Sequence, residues 1–193
     1  MRPAAFNVNK NFISGWYIDI NLCQEIVDSL ESKKILLKAD LSGYRNHLYV
    51  DLYSLEKGLQ EKYLFELEKC RELYYKEYDF LHKTQKVTIQ PSTNPNHLVW
   101  IQKYNPGKYY SALHCENDGG MLARSKRSIV FMTYLNTLND EGGTMWPYQN
   151  FQSRPEAGLT VFWPAYWTHP HCGLVSKTEK KYIATGWYEF DIK

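Results

Sequence analysis

The chain has 193 residues, a formal net charge of +2, and lysines and arginines spread along its whole length. A length of this order suits one domain with a single core, and the scattered charge excludes the basic patch by which proteins bind nucleic acid. No apolar run approaches the roughly 20 residues that span a bilayer, and the N-terminal residues lack the apolar segment of a signal peptide. We therefore expect one domain over residues 1–193, with no nucleic-acid or membrane partner.

The composition favours strands and a reducing compartment. Aromatic residues make up 16% of the chain, and many of its 16 tyrosines lie in strand-like runs, which is typical of β-rich proteins. The four cysteines include no closely spaced pair such as C-x-x-C, so a reduced, cytoplasmic protein is the preferred interpretation. A disulfide between Cys115 and Cys172 stays open.

Residues 1–86 predict two helices that support a sheet. Asn21 is a candidate N-cap for a helix that runs to about Ser32 with its apolar residues on one face. A longer helix is predicted over residues 55–80, where apolar side chains recur every three or four positions. No linker rich in Pro, Gly and Ser follows this segment, so we expect both helices to pack against the remainder of the same domain.

From residue 87 onward the apolar pattern changes to a period of two, with Pro and Gly between the runs, and such runs indicate short strands. Six or more strands behind two helices predict a mostly β fold, a double-stranded β-helix or jelly roll, whose core is formed by residues 87–193. The predicted strands cover residues 87–90, 98–104, 109–116, 128–135, 158–163 and 181–190.

His114 and Glu116 are the first candidate metal ligands. Residues i and i+2 of an extended strand point to the same face, so this pair directs one imidazole and one carboxylate at one point. Two histidines and one carboxylate form the ligand set that suits non-haem Fe(II) with open positions. Asp118 lies two residues farther along the same face and is a rival for the carboxylate position.

A second histidine comes from the run that contains His169 and His171. A lone histidine is more often a structural residue than a ligand, but two of them in a chain that already offers H-x-E favour a metal. We prefer His171, because Lys181 follows it by ten residues and opens a predicted strand. Zinc held by these residues together with Cys115 or Cys172 is the competing interpretation.

Taken together, these features resemble the iron(II)- and 2-oxoglutarate-dependent dioxygenases of the prolyl 4-hydroxylase type, including small bacterial and virus-encoded members. In that family a tyrosine precedes H-x-D, then come an arginine ahead of Y-L-N, the elements G-G and P-x-x-G, and a distal histidine followed by a basic residue and a tryptophan. The resemblance covers about residues 98–190 and departs from the family at Glu116, where Asp is usual. The matching positions are Tyr104, His114, Glu116, Arg127, Tyr134, Leu135, Asn136, Gly142, Gly143, Thr144, Pro155, Gly158, His171, Lys181 and Trp187.

The resemblance implies a cofactor set. His114, Glu116 and His171 would hold Fe(II) and leave open positions for 2-oxoglutarate and O₂. The distal carboxylate of 2-oxoglutarate would pair with Lys181, because a buried carboxylate needs a cation. Lys180 has the opposite strand parity and would be a surface residue.

Other residues are predicted to contact the cosubstrate or the substrate. By the resemblance, Tyr104 and Tyr134 donate hydrogen bonds to 2-oxoglutarate. Arg127 ends a basic run and is predicted to guide an acidic or peptide substrate at the mouth of the site. The aromatic rings of Tyr110 and Trp146 are predicted to line the opening, as in many binding pockets.

The activity that the resemblance implies is oxidative decarboxylation of 2-oxoglutarate to succinate and CO₂, coupled to hydroxylation of an unactivated C–H bond. The expected substrate is a prolyl residue in a peptide or protein, with a small molecule as the alternative, and ascorbate is expected to support the activity. Two other interpretations stay open. They are a zinc-dependent hydrolase and a non-catalytic jelly-roll binding module with a degenerate site.

Overall fold

The computed structural model describes residues 1–9, 11–32, 35–41, 45–81, 89–91, 99–120 and 122–191. Short 3₁₀ turns lie at Ala5–Asn9, Leu52–Ser54 and Pro147–Gln149. The helices are α1 (Ile20–Glu31), α2 (Lys57–Glu77) and the short α3 (Leu122–Ser125). The strands are β1 (Arg2–Pro3), β2 (Ser14–Tyr17), β3 (Lys38–Asp40), β4 (His47–Asp51), β5 (Ile89–Pro91), β6 (Trp100–Tyr104), β7 (Arg127–Tyr134), β8 (Thr144–Trp146), β9 (Phe151–Ser153), β10 (Leu159–Pro164), β11 (Cys172–Gly173) and β12 (Lys181–Phe190).

Two antiparallel sheets form the body of the protein. The large sheet has the order β1-β2-β10-β7-β12-β6-β4-β3, with β5 added beside β12, and the small sheet has the order β11-β8-β9. This arrangement confirms the predicted jelly roll with supporting helices. The first four strands extend the large sheet at both edges, so residues 1–51 contribute to the sheet as well as to its support.

Both predicted helices are present, with small shifts at their ends. The prediction of Asn21 as the N-cap of α1 is wrong, because the carboxylate of Asp19 accepts a hydrogen bond from the Asn21 N–H and the helix begins at Ile20. A carboxylate placed there satisfies an N–H group that the helix itself leaves unpaired. Among the described residues, neither long helix has the apolar stretch that is required to traverse a bilayer.

Strand β7 separates two apolar clusters, and all eight of its residues are buried. Ile129 and Phe131 face the outer cluster between the large sheet and the helices, whereas Val130 and Met132 face the inner cluster between the sheets. This alternation follows from the two-residue period of a strand. The inner cluster is therefore the layer that borders the candidate site.

One predicted strand is absent as a regular element. The segment 109–116 is irregular and contains an isolated bridge between His114 and His171. The N–H groups of Glu116 and Asn117 both donate to the carbonyl oxygen of Ala165, at 3.0 and 2.8 Å. These separate long-range bonds take the place of a regular sheet ladder. Residues 87, 88 and 98 of the predicted strands lie outside the described residues.

A buried chain of hydroxyl groups links α2 to the large sheet. Tyr63 is fully buried, and its hydroxyl lies 2.9 Å from the Thr133 hydroxyl, which in turn lies 2.8 Å from the hydroxyl of Thr160. Buried polar atoms need such partners, because an unpaired one keeps its full desolvation penalty. The helix is therefore fixed to β7 and β10 by polar contacts as well as by apolar packing.

We predict that Tyr63→Phe lowers the free energy of unfolding by about 1 kcal/mol, because it removes one buried hydrogen bond while Thr133 keeps its bond to Thr160. Urea denaturation monitored by circular dichroism measures this change. Tyr53→Phe is the matched control, since Tyr53 is half exposed on the surface. Equal stability of the two variants would show that the Tyr63 hydroxyl makes no net contribution to the free energy of unfolding.

Candidate active site

A cavity of about 470 Å³ lies between the two sheets. Its walls come from the inner faces of β4, β6, β7, β10 and β12, from β8 and β11 of the small sheet, and from the irregular segment around His114. This volume is within the range of small-molecule sites. The candidate ligands of the metal line one part of this cavity, and Lys181 lines another.

Three side chains converge on one point of the cavity. The Oε1 atom of Glu116 lies 3.2 Å from Nε2 of His114 and 3.6 Å from Nε2 of His171, and one ligand atom from each residue lies within 4.8 Å of the others. Ligands at about 2.1 Å from a cation and at right angles to each other are about 3 Å apart. The spacing therefore fits three ligands on one face of an octahedral ion.

The backbone brings the two histidines together. The N–H of His114 donates to the carbonyl of His171 at 3.0 Å, and the N–H of His171 donates to the carbonyl of His114 at 2.8 Å. Nδ1 of His114 lies 2.9 Å from the Ala112 carbonyl oxygen, and Nδ1 of His171 lies 3.1 Å from the His169 carbonyl oxygen. A carbonyl only accepts, so each Nδ1 carries a proton. An imidazole protonated at Nδ1 binds a metal through Nε2 once Nε2 has lost its own proton.

The electrostatics of Glu116 suit a ligand that stays ionised. Burial acts to raise the pKa of its carboxyl group, but hydrogen bonds and charge from His114 and His171 outweigh burial and hold the pKa well below its usual value. A divalent ion held by Oε1 and by the Nε2 atoms of both histidines would replace the imidazole protons and supply the positive charge itself.

The structure corrects the predicted role of Arg127. This residue is 6% exposed, and its Nη1 donates to Oε2 of Glu116 at 3.0 Å and to the Glu116 carbonyl at 3.1 Å. Its guanidinium also lies 3.6 Å from the ring centre of Trp187. A buried arginine engaged in this way does not guide substrate at the mouth. It occupies one oxygen of Glu116 and leaves the other for the cation.

Asp118 and His169 are engaged elsewhere, which separates them from the ligand set. Oδ2 of Asp118 accepts from Arg124 at 2.9 Å at the protein surface. The ring nitrogens of His169 lie 2.9 Å from the Thr168 hydroxyl and 2.9 Å from the Asn11 carbonyl. Both residues therefore have local structural partners. The predicted preference for Glu116 and His171 agrees with this geometry.

Lys181 is a second buried cation of the cavity, away from Glu116. It is 4% exposed, its Nζ donates to the carbonyl oxygens of Gly142 at 3.0 Å and Leu174 at 3.5 Å, and burial lowers its pKa to about 8. No carboxylate partner of Lys181 is seen among the described residues. Lys180 is exposed, as its parity predicts, and pairs with Glu31 at 3.7 Å.

The two predicted cosubstrate tyrosines have different positions. Tyr104 lines the cavity, and its hydroxyl donates to Oε1 of Gln102 at 2.7 Å. Tyr134 faces the same side of the large sheet but does not line the cavity, because its hydroxyl bonds to Thr144 at 3.0 Å and to Ser153 at 2.7 Å. Thr144 lines the cavity instead, so Tyr134 contacts the site only through Thr144.

The predicted aromatic rim is partly wrong. Tyr110 lines the cavity, with its ring centre 4.3 Å from that of His114. Trp146 is 0% exposed, and its ring lies 5.1 Å from the ring of Trp163 and 6.0 Å from that of His171. It supports His171 from behind and cannot meet substrate. Packing within the inner cluster therefore places Trp146 away from the opening that it was predicted to line.

One wall of the cavity was not predicted from the sequence. Arg45, His47 and Tyr49 line it from the β3–β4 hairpin, where no strand was predicted, and Gln102 lines it from β6. Gln102 could have been found, because it shares strand parity with Tyr104. The hairpin residues carried no such signal.

The zinc interpretation is not favoured. All four cysteines are free, and the three-residue cluster that could hold a metal in the described part of the chain contains neither Cys115 nor Cys172. Burial raises the pKa of both thiols, which keeps them protonated and poor ligands.

Comparison with known proteins identifies the class of domain. A family model described as the 2OG-Fe(II) oxygenase superfamily matches residues 99–189, a stretch that contains all three candidate ligands. This match covers a little under half of the chain and confirms the resemblance found in the sequence. No curated protein sequence matches the chain.

Solved structures share the fold of nearly the whole chain. The viral collagen prolyl hydroxylase of Paramecium bursaria Chlorella virus-1, in its 2OG complex, has 20% identity and a TM-score of 0.64 over 92% of this chain and 95% of its own. A Pseudomonas putida prolyl-4-hydroxylase has 18% identity and a TM-score of 0.66 over 95% of each chain. A Trichoplax adhaerens prolyl hydroxylase, in complex with a hypoxia-inducible factor peptide fragment, has 17% identity and a TM-score of 0.69 over 95% of this chain and 86% of its own. At these identities the likeness establishes the fold.

We predict that Glu116→Gln weakens Mn(II) binding by at least about a hundredfold, because loss of a direct ligand should exceed the 10–100-fold effect of changing an outer partner. Isothermal titration calorimetry measures the affinity. Asp118→Asn is the matched control, with the same change of charge two residues away, and it should bind Mn(II) as the unaltered protein does. The opposite ranking would make Asp118 the ligand.

Proposed function

We propose that this protein is a 2-oxoglutarate-dependent hydroxylase that oxidises an unactivated C–H bond of a prolyl residue in a peptide or protein. The observation that carries the proposal is the convergence of His114, Glu116 and His171 in the same cavity as a buried lysine without a carboxylate partner among the described residues. A 2-oxo diacid provides the two kinds of group that this cavity lacks. One end chelates a metal, and the other end pairs with an ammonium group.

The donor set fits Fe(II), which would be held by Nε2 of both histidines and by Oε1 of Glu116. When bound, iron with 2-oxoglutarate and O₂ supplies the oxidising chemistry, with succinate and CO₂ as co-products. The protein orients the ligands and excludes water. Water is excluded by apolar walls of the cavity, which include Met132, Trp163 and Ile183.

Lys181 would pair with the distal carboxylate of 2-oxoglutarate. An unpaired buried ammonium group is unfavourable, as its lowered pKa shows, and a carboxylate beside it restores the charged state. Tyr104 would complete this end, since its ring centre lies 4.7 Å from Nζ of Lys181.

Two findings support a prolyl substrate. The solved structures with the same fold include prolyl hydroxylases, one of which holds a peptide fragment. The cavity also presents the aromatic rings of Tyr49, Trp100 and Tyr110, and aromatic-lined grooves are a recurrent way of binding proline-containing peptides. A small-molecule substrate is the alternative. The supporting role of ascorbate and the cytoplasmic location stay predictions.

Turnover provides the direct test. Purified protein supplied with Fe(II), ascorbate, 2-oxoglutarate and a panel of proline-containing peptides should release succinate and add one oxygen atom to a peptide, measured by mass spectrometry. His171→Ala should abolish both signals, because it removes a metal ligand. Succinate release without peptide oxidation would redirect the search to small molecules. Stoichiometric zinc together with no succinate under any condition would contradict the proposal.

The pH dependence of 2-oxoglutarate binding tests Lys181. Burial lowers its pKa to about 8, so the ammonium form prevails below that pH and is lost above it. The carboxylates of 2-oxoglutarate stay ionised throughout this range. Affinity should therefore be constant from about pH 7 to about pH 8 and then fall by up to about tenfold per pH unit.

Calorimetry on the Mn(II)-loaded protein measures this profile. Lys181→Met should bind weakly and lose the decrease above pH 8, whereas the exposed neighbour variant Lys180→Met should keep the full profile. An unchanged profile in Lys181→Met would assign the pH dependence to another group.

A further inference from the structure

His47 has a buried ring nitrogen to which no described residue hydrogen-bonds. It is 7% exposed, it lines the cavity, and its Nδ1 is fully buried with no hydrogen-bond partner in the described part of the chain. A buried polar atom left in this state carries an unpaid desolvation penalty. It lies at the start of β4, outside the residues 99–189 that match the oxygenase family. An atom closed off to this degree cannot meet a ligand itself, so Nε2 is the ring nitrogen of His47 that a ligand in the cavity can reach.

The sheet register places His47 beside the lysine end of the cavity. Strand β4 pairs with β6 so that Leu48 lies opposite Lys103, and one step farther His47 lies beside Tyr104. Tyr104 in turn pairs with Lys181 of β12. His47, Tyr104 and Lys181 therefore form one row across three neighbouring strands, all on the inner face of the sheet.

Ring contacts agree with this row. The ring centre of His47 lies 5.1 Å from that of Tyr104, and Nζ of Lys181 lies 4.7 Å from the centre of the same ring. One ligand group beside Tyr104 can therefore meet both side chains.

The charges around His47 define what it can offer. Burial lowers its pKa to about 4. The charge of Asp40 raises this pKa by a smaller amount, and the charges of Arg45 and Lys181 lower it further. The imidazole is therefore neutral at physiological pH and carries one N–H donor. His47 shares its row with Tyr104 and Lys181, so the part of a ligand that reaches His47 is the part that meets the lysine.

We propose that His47 binds the distal carboxylate of 2-oxoglutarate, donating one hydrogen bond to the carboxylate that pairs with Lys181. This assignment rests on the proposed function. A neutral donor adds a directed contact without placing a second positive charge beside Lys181.

The experiment compares two ligands on the Mn(II)-loaded protein by isothermal titration calorimetry. 2-Oxopentanoate keeps the 2-oxo acid and the chain length of 2-oxoglutarate but has a methyl group in place of the distal carboxylate. His47→Leu should weaken binding of 2-oxoglutarate about tenfold, as expected for loss of one hydrogen bond to a charged group. Its affinity for 2-oxopentanoate should change by less than about twofold.

Two further variants complete the design. His47→Gln keeps a neutral N–H donor and should bind 2-oxoglutarate within about threefold of the unaltered protein; it also serves if His47→Leu does not fold. Leu48→Ala alters the opposite face of the same strand and should leave both affinities unchanged. Thermal melting of each variant confirms that it is folded.

The outcomes separate this proposal from the proposed function. If the unaltered protein binds Mn(II) but not 2-oxoglutarate, both proposals are overturned. If it binds 2-oxoglutarate and His47→Leu binds equally well, only the role of His47 is overturned. Equal losses for both ligands would also overturn it, because they would indicate a general effect on the cavity.

Discussion

The candidate metal centre depends on one backbone pair. His114 and His171 exchange both of their main-chain hydrogen bonds, at 3.0 and 2.8 Å, although the two residues lie far apart in the sequence. An antiparallel pair of this kind holds the Cα atoms about 5.5 Å apart, which fixes both imidazole rings before any ion binds. Closure of the jelly roll therefore creates the ligand set. Any change that displaces the irregular segment around His114 would separate the ligands even with every ligand side chain intact.

The rest of the fold supports this pair in layers. The helices cover the outer face of the large sheet, β7 runs through the centre with both faces buried, and the inner cluster borders the cavity. Trp146 packs directly behind His171, within 6.0 Å between ring centres. Close-packed protein interiors transmit displacement instead of absorbing it. The apolar layer behind His171 consequently helps to hold its imidazole ring in place, while the backbone pair holds its Cα atom.

Sequence reasoning succeeded where local pattern and tertiary structure agree. Period two located β7, β10 and β12, helical spacing located α1 and α2, and strand parity distinguished buried Lys181 from exposed Lys180. It failed where contacts with residues distant in the sequence determine the structure or the burial of a side chain. The short β3–β4 hairpin has no strong apolar alternation, and Arg127 belongs to a basic run whose burial depends on Glu116 and Trp187. Charge alone does not distinguish a solvated arginine from one that pairs with a buried carboxylate.

The departure from the family pattern at Glu116 has a physical consequence in this chain. A glutamate has one more rotatable bond than aspartate, so fixing its carboxylate loses more conformational entropy. Arg127 offsets that loss, because it binds Oε2 at 3.0 Å while its own guanidinium is held against the ring of Trp187 at 3.6 Å. The longer side chain then spans the space between Arg127 and the two histidines, and only Oε1 faces the metal position. A shorter carboxylate could satisfy one of these partners only by retreating from the other, so glutamate and the arginine–tryptophan pair form one unit.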